Sequence, residues 1–453
     1  MSNKKIVILD GTGTGDDYLA APFSVLTDLL DYDNADVKCY HLKEIKLAHC
    51  DGCFGCWIKT PGICVKSDEQ REIIQTIIRS DMIILFTPVT FGGYSSVLKI
   101  IVDRFIPLIL PFFGKYYGEI HHSPRYTSYP RLVGIGVQRN FEKAEADLFK
   151  ALVGRNAINF HAPSFAADVF SSEEDNETLN KRLKSVISRL DPFPVEDDIV
   201  TFFPKADMTP FDNKQKGARN ALLIVGSPKM KHRSTSGILG EYLTEILKTS
   251  GWKTEVLKLK GSLRREKGQV ELCSAVDRSD LIILAFPLYI DALPYLVTKA
   301  FEVIARHNKT LRVKKPQSVY TIINNGFPEF HQNALALAIC RFFADQCGIS
   351  WAGALAMGAG EAIGGGQELT KTKRSGPPVK HVIEALDKAG ADLDKGSAVS
   401  LNVQSLISKT PIPIVPFGIW RWIFTKLGGK GWKRQALENG VKKEEMYAKP
   451  YAD

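Results

Sequence analysis

The chain has 453 residues, 44% of them apolar and 24% charged, with a formal net charge of +9. That length exceeds one ordinary core and predicts two domains of roughly 150–200 residues each plus extra segments. The composition is that of a globular protein: no apolar run reaches the roughly 18–20 residues of a membrane span, and no basic helix interleaved with aromatics offers a nucleic-acid groove. "MSNKKIVILDG" opens directly into a strand without a secretory layout, so a cytoplasmic protein is expected.

Residues 5–10, "KIVILD", are a continuous apolar run, as expected of a strand buried on both faces. The turn-rich "GTGTGDD" follows, then a helical pattern to about Leu30 and a second strand, "DVKCYHL", at 36–42. After "CDGCFGCWIKTPGIC" (50–64), Ser67 with Gln70 predicts a capping-box start for a helix burying Ile73, Ile74, Ile77 and Ile78. "MIILFTP" (82–88) and "RLVGIGV" (131–137) read as further strands. A helix near 141–153 and a strand near 157–169 follow. Between the third and fourth strands, His121, His122, Arg125 and Tyr126 read as a surface loop, and Lys99 with the Asp103–Arg104 pair as structural salt links.

The order then recurs, with strands at 220–226, 253–259, 281–287, 317–324 and 349–357. The clearest internal match is "SDMIILFTP" at 80–88 against "SDLIILAFP" at 279–287, an offset of 199 residues. Alternating strands and helices imply right-handed βαβ units, so the fold class is α/β: two tandem doubly wound five-stranded parallel sheets. The expected layout is a first domain at 1–188, a Pro- and Asp-rich linker at 189–217, a second domain at 218–396 and a tail at 397–453. Residues 411–434 of the tail hold Trp420, Trp422 and Trp432 and five basic residues with no acid. Membrane contact through such a segment is conceivable on composition; packing over a cleft or a partner subunit is the favoured expectation.

Ligands of an open parallel sheet bind beyond the carboxyl ends of its strands. In the second repeat, Ser227 and Pro228 turn the chain, Ser234, Thr235 and Ser236 open a helix, and Lys229, Lys231 and Arg233 add charge, which together suit a phosphate. The counterpart in the first repeat is Thr12, Gly13 and Thr14, where Asp16 and Asp17 would repel an anion if they faced it. The third-strand loops, Pro88, Val89, Thr90, Phe91 and Gly92 in the first repeat and Pro287, Leu288 and Tyr289 in the second, offer flat apolar slots. Asn324, Asn325 and Gly326 bring polar backbone to the same edge.

The loop "GSPK…STS" followed by "FPLY" resembles the flavodoxin-like NADPH-dependent FMN reductases. The cysteine run with "TPVTFGGYSSVLKIIVDRF" resembles the iron–sulfur flavoproteins of that superfamily. The resemblance implies FMN bound through the loops named above, NAD(P)H as electron donor and an unidentified acceptor. It names no catalytic acid or base. Homo-oligomerisation is expected, and nucleic acid is not a partner. A flavodoxin-like electron carrier without a nicotinamide step, or a flavin-free binding module, are the alternatives. The first repeat lacks the Ser-Pro pair, and the second lacks the cysteines.

Cys50, Cys53 and Cys56 lie two residues apart and can curl around one face of a [4Fe-4S] cubane, with Cys64 returning as the fourth ligand. A Cys53–Cys56 redox pair, zinc and structural thiols are alternative readings of the same residues.

Overall fold

The continuous apolar runs become central strands. A computed structural model describes residues 3–206, 219–229, 234–263, 265–313, 315–363, 368–369, 379–410 and 415–452. The chain divides into two units: Met1–Asp198 together with Ile423–Asp453, and Ile199–Trp422.

In unit 1 the strands are β1 (Lys5–Asp10), β2 (Asp36–His41), β3 (Met82–Pro88), β4 (Ile109–Tyr116), β5 (Glu119–Pro124), β6 (Arg131–Gln138) and β7 (Phe165–Ser171). Five of them form a parallel sheet in the order β2-β1-β3-β6-β7, and β4 and β5 form a separate antiparallel hairpin. Unit 2 contains β8 (Asn220–Val225), β9 (Lys253–Lys258), β10 (Leu281–Pro287), β11 (Ser318–Asn324) and β12 (Ser350–Met357), in the order β12-β11-β10-β8-β9. Both sheets therefore have the flavodoxin-like strand order, with the switch point between β1 and β3 in one and between β8 and β10 in the other.

The helices supply the covering faces. In unit 1, Leu26, Leu29 and Leu30 of the helix Ala20–Tyr32 and Leu179, Leu183 and Val186 of Asn176–Ser188 pack with Ile8, Ile84 and Phe86 of the sheet. In unit 2, Leu239, Leu243 and Leu247 of Thr235–Thr249 and Leu386 and Leu393 of Lys380–Asp394 do the same over Leu223 and Ile283. No helix among the described residues is long and apolar enough to cross a membrane.

The structure corrects several local expectations. The helix after the cysteines begins at Gln70, and its N-cap Glu69 makes no side-chain cap bond. Gln70 is buried and donates instead to the Arg104 carbonyl at 2.9 Å, so no capping box forms. The helix expected at 141–153 runs over Lys143–Asn159, which delays β7 to Phe165. The segment holding His121, His122, Arg125 and Tyr126 is no surface loop: His121 and His122 lie in β5, and His121, Arg125 and Tyr126 are buried. Asp103 pairs with Lys99, while Arg104 turns elsewhere. The segment read as a linker carries a short helix at Glu196–Val200; residues 207–217 of it, and 411–414 of the tail, lie outside the described residues.

Candidate functional site

At the ligand edge of unit 1, the backbone donors of the first loop are already engaged. Asp10 Oδ1 accepts from Thr12 N at 2.9 Å and Asp16 Oδ2 from Gly13 N at 2.8 Å, while Thr14 is exposed. Asp10 also holds His41 Nδ1 at 2.8 Å. The N–H groups a phosphate would need thus face carboxylates. Nearby, Ser95 caps the helix Ser96–Val102 and donates to the Gly11 carbonyl at 2.7 Å, tying the β1 and β3 loops together.

The third-strand loops of both repeats close into the same tight turn. Thr90 bridges Gly93 across Phe91 and Gly92, at φ 53° and 78°; Tyr289 bridges Ala292 across Ile290 and Asp291, both at φ 53°. Consecutive left-handed residues are what a type I′ turn requires. A β-branched Ile in that region is strained, at a cost on the order of 1–3 kcal/mol, and such strain clusters at ligand sites. Pro88, Val89 and Pro287–Tyr289 flank these turns. Gly92 N donates to Glu145 Oε2 at 3.0 Å.

In unit 2, the first loop presents no carboxylate among its described residues. Ser227 and Pro228 are buried at the end of β8, Lys229 is exposed, and residues 230–233, with Lys231 and Arg233, lie outside the described residues. Ser234 caps the helix through Gly237 N at 3.1 Å, Thr235 Oγ1 donates to the Gly360 carbonyl at 3.1 Å, and Ser236 is fully buried. Leu288 N donates to the Asn324 carbonyl at 2.8 Å, joining the third and fourth loops. Asn324 Oδ1 and Asn325 Oδ1 are buried acceptors without a hydrogen-bond partner among the described residues, and Gly326 is exposed beside them. An unsatisfied buried acceptor costs about 1–3 kcal/mol, so both suit a ligand donor.

The four cysteines converge in unit 1. Cys50, Cys53, Cys56 and Cys64 line one cavity with Arg104, Ile106 and Pro107. Among the described residues, no three His, Cys, Asp or Glu side chains gather tightly enough to hold a single metal ion. Gly52 N donates to Cys50 Sγ at 3.4 Å and Arg104 Nη2 to Cys64 Sγ at 3.2 Å. Phe54, at φ 53°, lets the loop turn into the single-turn helix Gly55–Ile58. Burial pushes the Cys50 thiol up to about 12 and the Cys56 thiol well above its ordinary value. Reactive thiolates need the opposite shift, which Cys50 and Cys56 do not have. The Phe91–Gly92 turn precedes the helix Ser96–Val102, itself about 10 Å long at 1.5 Å per residue, and Arg104, Ile106 and Pro107 of the cavity wall follow it.

Residues 5–170 match the family model described as NADPH-dependent FMN reductase. That segment, a little over a third of the chain, is similar to the FMN reductase family. An iron–sulfur flavoprotein of Archaeoglobus fulgidus is 31% identical over 78 residues, 17% of this chain and 34% of that protein. Another of Methanocaldococcus jannaschii is 41% identical over 71 residues, 16% of this chain and 36% of that protein. The chain thus spans about a third of the length of these relatives. An azoreductase structure from Bacillus anthracis aligns at 11% identity with a TM-score of 0.28, covering 39% of this chain and 99% of that one. An NAD(P)H:quinone oxidoreductase from Methanothermobacter marburgensis aligns at 15% identity, also at TM-score 0.28, over 39% of this chain and 96% of that one.

Unit 1 carries one feature that sequence reasoning missed. The hairpin β4–β5 stands beside the cysteine loop: Trp57 Nε1 donates to the Ile109 carbonyl at 3.0 Å, and the His122 ring lies 4.6 Å from Trp57. The chain's end covers the same place. Trp432 meets Phe54 at 4.8 Å and Trp57 at 5.2 Å, both edge-on, and with Ala436, Val441 and Met446 it forms a shared core with Cys56 and Ile109. Arg125 fixes the arrangement by donating to the Met446 carbonyl at 3.0 Å and the Ala448 carbonyl at 2.7 Å. Trp422, by contrast, is exposed. Tyr117 and Gly118, both at positive φ, close the hairpin as a two-residue turn, and Gly118 was the available sequence signal.

Proposed function

We propose that the chain is an FMN-dependent NAD(P)H oxidoreductase, with FMN held by unit 2 and a four-iron cluster held by the four cysteines of unit 1. The observation that carries the reading is the convergence of four thiols, with N–H donors aimed at two of the sulfurs, inside a family domain of flavin reductases. Thiolates are the ligands such clusters use, and hydrogen bonds to sulfur stabilise them.

FMN, when bound, supplies hydride acceptance from a nicotinamide and release of electrons singly or in pairs. The chain's residues supply the holding. The similarity of residues 5–170 to flavin reductases favours a flavin in unit 1, but a phosphate there would meet Asp10 and Asp16 on the donors it needs. Unit 2 has no such conflict in its described loop residues. Ser227 and Pro228 with the helix start at Thr235 would take the phosphate, Pro287, Leu288 and Tyr289 would flank the ring, and the carbonyl oxygens of Asn324 and Asn325 would accept from the ring's N–H. Cys50, Cys53, Cys56 and Cys64 would ligate the cluster. The acceptor beyond it is a small molecule or protein that the site does not name.

Anaerobic addition of NADPH to the FMN-loaded protein tests the reading. Bleaching of the flavin band is expected. A flavin that binds but ignores nicotinamides would leave an electron carrier, and a protein that ignores FMN would leave a binding module.

A further inference from the structure

Arg104 is nearly fully buried, and its guanidinium is shared between two anionic demands. Nη1 and Nη2 form a bidentate pair with Asp68 at 2.5 and 2.8 Å, and Nη2 also donates to Cys64 Sγ at 3.2 Å. The Ala48 carbonyl at 3.0 Å fixes the fork from the other side, and Ala48 N anchors Asp68 at 2.9 Å. A buried guanidinium in this geometry is a permanent positive charge with fixed direction. Arg104 sits in the wall of the cysteine cavity.

The duplication supplies an internal control. At the 199-residue offset that matches the strands, Arg104 corresponds to Val303 and Asp68 to Lys267. Val303 is a buried member of the helix Tyr295–Asn308, and Lys267 is exposed. The copy without the cysteines keeps the fold without the pair. The βαβ architecture therefore does not require it; it accompanies the thiols.

We propose that Arg104, aimed by Asp68, is the charge partner of the cysteine site and sets its reduction potential. The proposal rests on the reading that the four thiols hold an iron–sulfur cluster. Each electron delivered from reduced flavin adds one negative charge to a centre that four thiolates already make anionic. No proton need accompany it. A fixed cation on Cys64 Sγ stabilises the added charge and raises the potential; Asp68 partly offsets that cation. The two residues thus act with opposite sign, although both brace the same loop.

The test is an anaerobic redox titration, followed by electron paramagnetic resonance, of the full-length protein carrying its iron. In Arg104→Met the ratio of reduced to oxidised centre at a fixed potential should fall at least tenfold, equivalent to a drop of about 59 mV for a one-electron couple. In Asp68→Asn the potential should rise, and Arg104→Lys should fall between wild type and Arg104→Met. Iron content near wild type with unchanged potentials would overturn the proposal. So would loss of iron in Asp68→Asn and Arg104→Lys alike, which would make the pair a structural clamp only. A wild-type protein without iron or acid-labile sulfide would instead overturn the cluster reading itself.

Discussion

Unit 1 and unit 2 share a strand order, a 199-residue offset and the same left-handed turn after the third strand, yet differ in what they bring to the ligand edge. In unit 1 the first loop is closed upon its own carboxylates, and the cysteine loop, a hairpin and the chain's end build a second centre beside the sheet. In unit 2 the first loop offers hydroxyls, and two buried asparagine oxygens lack partners among the described residues. A duplicated fold can thus separate two tasks by changing loops while its sheets stay the same. We read unit 1 as the electron outlet and unit 2 as the flavin holder.

Four changes would break or sharpen this contrast, beginning with the largest. Trp432→Ala removes the buried ring that joins the chain's end to Phe54 and Trp57. Such truncations cost about 3–5 kcal/mol. Chemical denaturation should show unit 1 weakened while unit 2 melts as in wild type; equal weakening of both would dissolve the contrast.

His122 gives a pH signature confined to unit 1. Burial, then the neighbouring His121, lowers its ordinary value to about 3. Between about 3 and 6.5 the unfolded chain therefore binds a proton that the folded chain refuses. Stability is complete above about pH 6.5 and falls as the pH drops, by up to about 1.4 kcal/mol per unit. In His122→Gln that slope should flatten, as read by urea midpoints at pH 5 and 7. An unchanged slope would place the acid sensitivity elsewhere.

Asn325→Leu should weaken FMN by about 1–3 kcal/mol, the range for a lost buried polar partner. Asp10→Asn should leave FMN affinity within experimental scatter. Isothermal titration distinguishes the two; the reverse ranking would move the flavin to unit 1.

Much of this architecture was legible in the sequence. β1, β3, β8 and β10 are buried on both faces, so each reads as an unbroken apolar run. The cysteine spacing pointed to a loop that gathers its thiols, and all four line one cavity. What stayed hidden was non-local. Trp432 finds Trp57 across most of the chain's length, and nothing in either local pattern states that contact. Arg104 looked paired with its neighbour Asp103, because adjacent charges suggest a salt link; its actual partners are Asp68 and Cys64. Ser67 and Gln70 matched a capping box, but burial of Gln70 against the Arg104 carbonyl won. Ser236 read as a phosphate hydroxyl, and it is fully buried in this structure.

The division of labour is tested most directly by counting iron, acid-labile sulfide and FMN in wild-type protein and in Cys53→Ser, both prepared without oxygen. Wild type should carry about four irons and four sulfides per chain, the content of one cubane. Cys53→Ser should lose both while retaining the FMN stoichiometry and affinity of wild type. One zinc per chain, four titratable thiols without metal, or loss of FMN together with iron would each contradict the account.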